Sequence, residues 1–145
     1  MKEKTGEPER GLSMKQVCDL LDMTYETLRF YCEEGLVPNV KRDKNNCRVF
    51  GERDVRWLQG LQCLRRCGMG IKEMKQYMEL CLAGKDTIPQ RKAVLHRREE
   101  LLLEQIAVLQ RSVEFIEQKQ AYFDAVLAGE VPYTSNLIQT DGAEG

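Results

Sequence analysis

A chain of 145 residues with 42% hydrophobic content can bury one small core but hardly two large independent ones. Its formal charge of -1 and pI near 6.0 exclude indiscriminate coating of nucleic acid, so any basic surface has to be local. No segment reaches the ~20 uninterrupted apolar residues that crossing a bilayer requires, and Met1 to Leu12 lack an apolar signal region. A soluble cytoplasmic protein is expected, with Cys18, Cys32, Cys47, Cys63, Cys67 and Cys81 as free thiols in a reducing compartment.

In chain order, residues 1–11 are polar, carry Gly6, Pro8 and Gly11, and read as a flexible tail. Ser13-Met-Lys-Gln16 is a capping-box pattern that opens a helix with Met14, Val17, Cys18, Leu20 and Leu21 on one face, ending near Asp22. Thr24 caps a second helix to about Glu34, after which Gly35 supplies a positive φ and Pro38 follows. Two helices separated by so few residues form a helix-turn-helix, whose second member presents its N-terminal side chains to a major groove.

Leu36 to Phe50 places a basic, polar run between the apolar ends Leu36-Val37 and Val49-Phe50, which predicts a two-stranded hairpin with an Asn45-Asn46 tip, a wing. From Leu36 to Arg66, Lys41, Arg42, Lys44, Arg48, Arg53, Arg56, Arg65 and Arg66 stand against Asp43, Glu52 and Asp54, and this is the local basic surface. A third helix is expected from Asp54 to Cys67, with Val55, Leu58, Leu61 and Leu64 inward and Gly68 and Gly70 beyond it. A fourth runs from Ile71 to Leu82, with Ile71, Met74, Met78 and Cys81 along one side, ending at Ala83-Gly84.

Thr87-Ile-Pro-Gln90 reads as a further capping box, and no breaker follows until Gly129. Alternating steps of four and three give Ile88, Lys92, Leu95, Glu99, Leu102, Ile106, Leu109, Val113, Ile116, Gln120, Phe123 and Leu127, mostly apolar. One helix of ~60 Å, at ~1.5 Å per residue, cannot bury such a seam alone. It demands a partner helix, most simply its copy in a second subunit, with Leu95, Leu102, Ile106, Leu109, Val113, Ile116 and Phe123 as dimerisation residues. The division expected is a tail at 1–11, a DNA-binding head at 12–84, a dimerisation helix at 87–128 and a flexible tail at 129–145.

The succession of helix-turn-helix, Thr27-Leu-Arg-Phe-Tyr31, Gly35-Leu-Val-Pro38, the Arg42 to Phe50 wing, Arg53-Asp-Val-Arg-Trp57, Cys67-Gly-Met-Gly-Ile-Lys-Glu-Met74 and a long terminal helix resembles the MerR-family transcription regulators, over Leu12 to Leu127. The resemblance implies an all-α fold with a small β wing: a winged helix-turn-helix head followed by a long helix that pairs antiparallel in a homodimer. It implies binding to a pseudo-palindromic promoter, distortion of that DNA on a signal, and an indirect partnership with RNA polymerase there. Bending or untwisting a site costs on the order of several kcal/mol, which phosphate contacts must offset.

Carried over position by position, Arg29, Phe30 and Tyr31 match the recognition-helix motif and Arg42 and Arg48 the wing, with Thr24 and Tyr25 near the helix start. Lys15, Thr27, Lys41 and Asn45 complete the expected DNA-binding set. The sequence departs from the family pattern at Asn46-Cys47, where Gly-Tyr is usual, and at Phe30, where a second tyrosine is commoner.

No cysteine follows Cys81, so the convergent thiolates of the family's metal sensors are missing, and no metal or cofactor is expected. The segment Trp57 to Gly68 looks like the short branch that answers aldehydes, electrophiles or nitrosative stress, in which the cysteine at the position of Cys63 is the sensor. Arg65 and Arg66 lie close in sequence, and positive charge favours the thiolate. Cys67, one turn on, is the candidate second thiol.

The enzyme reading finds no phosphate loop, no metal-ligand spacing and a single histidine, His96, so catalysis is not expected. The alternatives carried forward are a coiled-coil adaptor, a regulator controlled by a partner or by nothing, with inert thiols, and a thiol-based metal sensor using Cys81 and His96 across subunits.

Overall fold

The computed structural model describes residues 11–140, and the expected 1–11 tail lies outside them but for Gly11. The elements run α1 (Met14–Leu21), α2 (Tyr25–Glu33), β1 (Lys41–Arg42), β2 (Arg48–Val49), α3 (Glu52–Arg66), α4 (Ile71–Leu82), a 3-10 turn (Lys85–Thr87) and α5 (Ile88–Leu127). By its contacts the chain divides at Glu99, so the head includes the opening turns of α5 and the second unit runs from Glu100 onward.

Local chemistry sets the helix ends. The Ser13 hydroxyl accepts the Gln16 N–H at 3.1 Å while the Gln16 side chain accepts the Ser13 N–H at 2.9 Å, the reciprocal capping box that the sequence predicts. The Thr24 hydroxyl accepts the Thr27 N–H at 3.1 Å and so starts α2. Gly51 and Gly70 have no side chain to cap with; their N–H groups are taken by the carboxylates of Asp54 at 2.8 Å and Glu73 at 3.1 Å, three residues on. Gly35 and Gly68, with φ of 78° and 95°, supply the left-handed residues that end α2 and α3.

One core lies inside the head. Val17 and Leu21 of α1, Leu28 and Tyr31 of α2, Val55, Leu58 and Leu61 of α3 and Met74 and Met78 of α4 meet around Leu36, Phe50 and Met69. Among the described residues no polar or charged side chain is buried with them. The Trp57 indole N–H donates to the Leu36 carbonyl at 2.7 Å, and the Gln62 amide donates to the Leu21 carbonyl at 2.9 Å. These bonds tie α3 to the turn inside the helix-turn-helix and to the segment that follows α2.

Several expectations need correction. α3 begins two residues before Asp54, because Gly51 rather than Arg53 is the extended residue at the cap. Leu36 and Val37 are core residues in a turn rather than strand ends, and the hairpin pairs only Lys41 with Val49 and Arg42 with Arg48. Thr87 opens no capping box: it closes the 3-10 turn, its hydroxyl donates to the Leu80 and Gly84 carbonyls, and Arg91 Nε donates to it at 3.0 Å.

The second unit contains the rest of α5 and the segment after it. α5 is one helix of 40 residues with no buried side chain. The segment expected as a loose tail instead turns at Gly129, whose φ is 78°. Its Thr134 N–H donates to the Tyr122 hydroxyl at 2.7 Å, and that hydroxyl lies 3.2 Å from the Pro132 carbonyl. Residues 141–145 of that expected tail lie outside the described range.

Candidate nucleic-acid interface

The helix-turn-helix is set by Asp22, in the left-handed region at φ 54°, and by Met23, buried with its N–H on the Cys18 carbonyl at 3.0 Å. Asp is one of the few residues that tolerate this conformation, which lets the chain reverse in three residues. With Leu28 and Tyr31 held in the core, Tyr25, Thr27, Arg29 and Phe30 are left exposed. The Thr24 hydroxyl also donates to that of Thr27 at 2.8 Å, so the cap holds two hydroxyls together at the end of α2 where orphan N–H groups favour anions.

Tyr31 is the correction within this set. It is 4% exposed and packed in the core, so its ring cannot lie against a groove. It falls three residues after Leu28, on the same helical face. Phe30 is 44% exposed and touches the Tyr31 ring with centroids 6.4 Å apart.

Arg29 donates to Glu33 at 2.8 Å, one turn on, with both side chains half exposed. That hydrogen bond and the charges raise the Arg29 pKa and hold the Glu33 carboxyl below the usual range, so a phosphate must compete with Glu33 for this guanidinium. Lys15 on α1 is exposed and lies 3.4 Å from Asp19, a contact that solvent screens.

The wing brings its charges to the end of α2. Asp43 Oδ1 accepts the N–H groups of Asn45 and Cys47 at 2.8 and 3.0 Å, and Asn46 takes a φ of 63°, with its carbonyl accepting from Arg42 at 2.7 Å. This turn leaves Lys41, Arg42 and Asn45 exposed, with Arg48 half-buried. Arg42 and Arg48 stand directly opposite each other in the ladder. Like charges in that position oppose pairing, so the wing gains when an anion lies between them. Both also act on the half-buried Cys32 thiol in α2: burial pushes its pKa up, while the charges of Arg48 and Arg42 pull it down. The wing arginines therefore lie within electrostatic reach of the C-terminal end of α2.

Away from this face, Cys63 is exposed on α3 with Arg66 Nη2 at 3.5 Å from its sulfur, and Cys67 is the helix-ending residue, its N–H on the Cys63 carbonyl at 3.0 Å. All six cysteines are free thiols. Among the described residues no group of three or more His, Cys, Asp and Glu could hold a metal ion. The sequence places Asn46 at the hairpin tip, where its φ is 63°, but does not single out the other residues that hold the surface in place: Asp43 in the wing turn, Gln62 under α1, and Lys75, which pairs with Glu34 at 2.7 Å. An Asp two residues before the Asn45-Asn46 tip is a turn signal that could have found Asp43.

This head defines a winged helix-turn-helix DNA-binding protein. Residues 12–81 match the MerR HTH family regulatory protein pattern. An uncharacterised HTH-type transcriptional regulator of Haemophilus influenzae is 40% identical over 102 residues, 70% of this chain and 76% of the relative. The HTH-type transcriptional regulator AdhR of Bacillus subtilis is 32% identical over 93 residues, 64% of this chain and 66% of the relative. Among solved structures, HiNmlR, a MerR family regulator lacking the sensor domain and bound to promoter DNA, superposes with a TM-score of 0.71 at 36% identity, covering 82% of this chain and 95% of that one. The chain belongs to the MerR family and is a DNA-binding transcription regulator. Its homologues and fold are those of regulators rather than enzymes, which also sets the adaptor reading aside. Among the described residues no helix is long and apolar enough to cross a membrane.

Proposed function

We propose that this regulator works in the cytoplasm as a homodimer joined through α5, binds a pseudo-palindromic promoter with two winged heads, and distorts that DNA for RNA polymerase when an effector is sensed. The observation that carries the reading is the uncovered seam of α5. Leu95, Ile106, Leu109, Val113, Ile116 and Phe123 are all exposed, Leu109 by 64%, and Leu102 is only partly covered. Apolar rows of this period are stable in water when a second helix covers them. The promoter-bound state of HiNmlR, similar over most of this chain, supports DNA as the ligand of the heads. Tyr25, Thr27, Arg29 and Phe30 face the groove, with Thr24 at the cap, while Lys15, Lys41, Arg42, Asn45 and Arg48 hold phosphates.

The test is footprinting and anisotropy on the inverted repeat upstream of the protein's own gene. Protection of both half-sites, with a dissociation constant that rises with salt, is the expected result. Sedimentation as a monomer at micromolar concentration, or equal affinity for unrelated duplexes, would overturn the reading.

The effector site favoured is Cys63, because it pairs exposure with a guanidinium 3.5 Å from its sulfur. A thiol so placed is open to electrophiles, aldehydes and nitrosating agents. Cys67 lies across one intact helical turn, so joining the two would distort the helix. Cys63→Ala is expected to keep operator affinity within twofold and to lose induction by formaldehyde, methylglyoxal or nitrosothiol in a promoter-reporter assay. Unchanged induction would leave the thiols inert and favour control by a partner.

A further inference from the structure

We propose that the Glu73–Arg98 ion pair is the joint that locks the opening turns of α5 to the corner between α3 and α4, and that this joint sets the half-site spacing the dimer accepts on DNA. The inference rests on the dimeric reading above and assigns positioning residues to it.

Arg98 and Glu73 are 25 residues apart in sequence, yet Arg98 Nη2 lies 2.8 and 2.7 Å from the two carboxylate oxygens. The arginine side chain is only 13% exposed, the glutamate 47%. The same carboxylate accepts the Gly70 N–H that starts α4. Gly68, which stops α3, lies against the guanidinium: a Cβ built there would stand 3.3 Å from Arg98 Nη1. The end of α3, the start of α4 and a turn of α5 therefore meet at one side chain.

This arrangement is poorly explained by stability. Arg98 Nε is buried without a hydrogen-bond partner, and leaving such a donor unsatisfied carries a penalty that an apolar residue of the same length avoids. Apolar contacts such as that of Val94 with the core hold α5 to the head but allow it to roll and slide. A charged, hydrogen-bonded pair whose arginine is largely covered allows one direction and one register. On a dimer, a small freedom in that register becomes a freedom in the distance and twist between two heads. Gly68, against which the Arg98 guanidinium lies, directly follows Cys67 at the helix end that carries Cys63 and Arg66, so a change at those thiols would reach α5 through it.

The experiment uses full-length protein and duplexes in which the two half-sites of the inverted repeat are separated by one-base-pair increments. Arg98→Met keeps the aliphatic bulk and removes the charge; Glu73→Gln keeps an oxygen for the Gly70 N–H. The unmodified protein is expected to prefer one spacing at least tenfold over its neighbours. Both variants are expected to reduce that preference below threefold, while affinity for a single half-site stays within twofold. A variant that retains the full spacing ratio while all its constants shift together would overturn the proposal, since loss of stability alone acts equally on every duplex. Hydrogen exchange in residues 88–98 of the free protein reads the joint without DNA: faster exchange in both variants supports it, unchanged exchange rejects it. Failure of the dimeric reading would show differently, in unmodified protein that sediments as a monomer or binds half and full sites equally.

Discussion

The head and the long helix solve opposite problems with similar residues. Between α1 and α4, leucines, methionines and a phenylalanine close on one another, with Leu28, Leu36, Phe50, Leu58, Leu61, Met69 and Met74 at 0% exposure. Along α5 the same kinds of side chain stand in water, and none is buried. A core satisfied within one chain specifies a folded head, whereas an unsatisfied stripe specifies a partner. The difference separates fold from assembly, and each can be disturbed without the other.

The largest expected effect is on the head alone. Phe50→Ala removes a fully buried ring at the joint of the wing and the N-terminal segment, where Leu12 and Phe50 exchange backbone hydrogen bonds of 2.8 Å. It should destabilise the head by about 3–5 kcal/mol in urea unfolding. The mirror experiment is Leu109→Asp with Val113→Asp, which should leave head unfolding unchanged and yield a monomer by sedimentation. Loss of two-point attachment then weakens dyad binding by roughly 10²–10⁴-fold in anisotropy titrations. If the double variant stays dimeric, the stripe is not the interface and the comparison fails.

Smaller changes sharpen it. Arg48→Ala in the wing should lower affinity to a similar degree for all sequences and reduce the slope of log affinity against log salt by about 1, because it removes one phosphate contact. A sequence-dependent loss would move Arg48 from phosphate to base reading.

The smallest expected effect is a pH dependence at Glu73. The Gly70 N–H, and after it Arg98, hold this carboxyl below the usual range. A carboxyl depressed on folding adds stability above its unfolded pKa, lost as pH falls through the folded value. Glu73→Gln should therefore be less stable than the unmodified protein at pH 7. The gap in melting temperature should narrow below about pH 4. A gap constant with pH would show that the charge is not what the substitution removes.

Most helix ends were legible because the residues that stop helices act locally. Ser13, Thr24, Gly35 and Gly68 could be placed from sequence, and α4 falls at its expected bounds. Tyr31 was misplaced because the motif groups it with exposed neighbours, although its position three residues after Leu28 puts it on the helical face that enters the core. The wing was overextended because Leu36 and Val37 carry the apolar pattern of a strand end but are drawn into the core after Gly35. Thr87 carried a cap signature that the preceding 3-10 turn overrides. The Glu73–Arg98 pair and the return of Thr134 to Tyr122 join residues 25 and 12 apart, beyond any local pattern. Of the interface, the exposed α2 side chains and wing arginines followed from the motif, whereas the Asp43 turn that shapes the wing followed from none of the charges.

Trp57 is the only tryptophan in the chain, and its indole is fastened to the Leu36 carbonyl inside the head. Intrinsic emission excited at the indole band is thus a private signal of that unit, while the amide circular dichroism draws heavily on α5. Melting the protein while recording both would display assembly and head folding as two separate traces from one unlabelled sample.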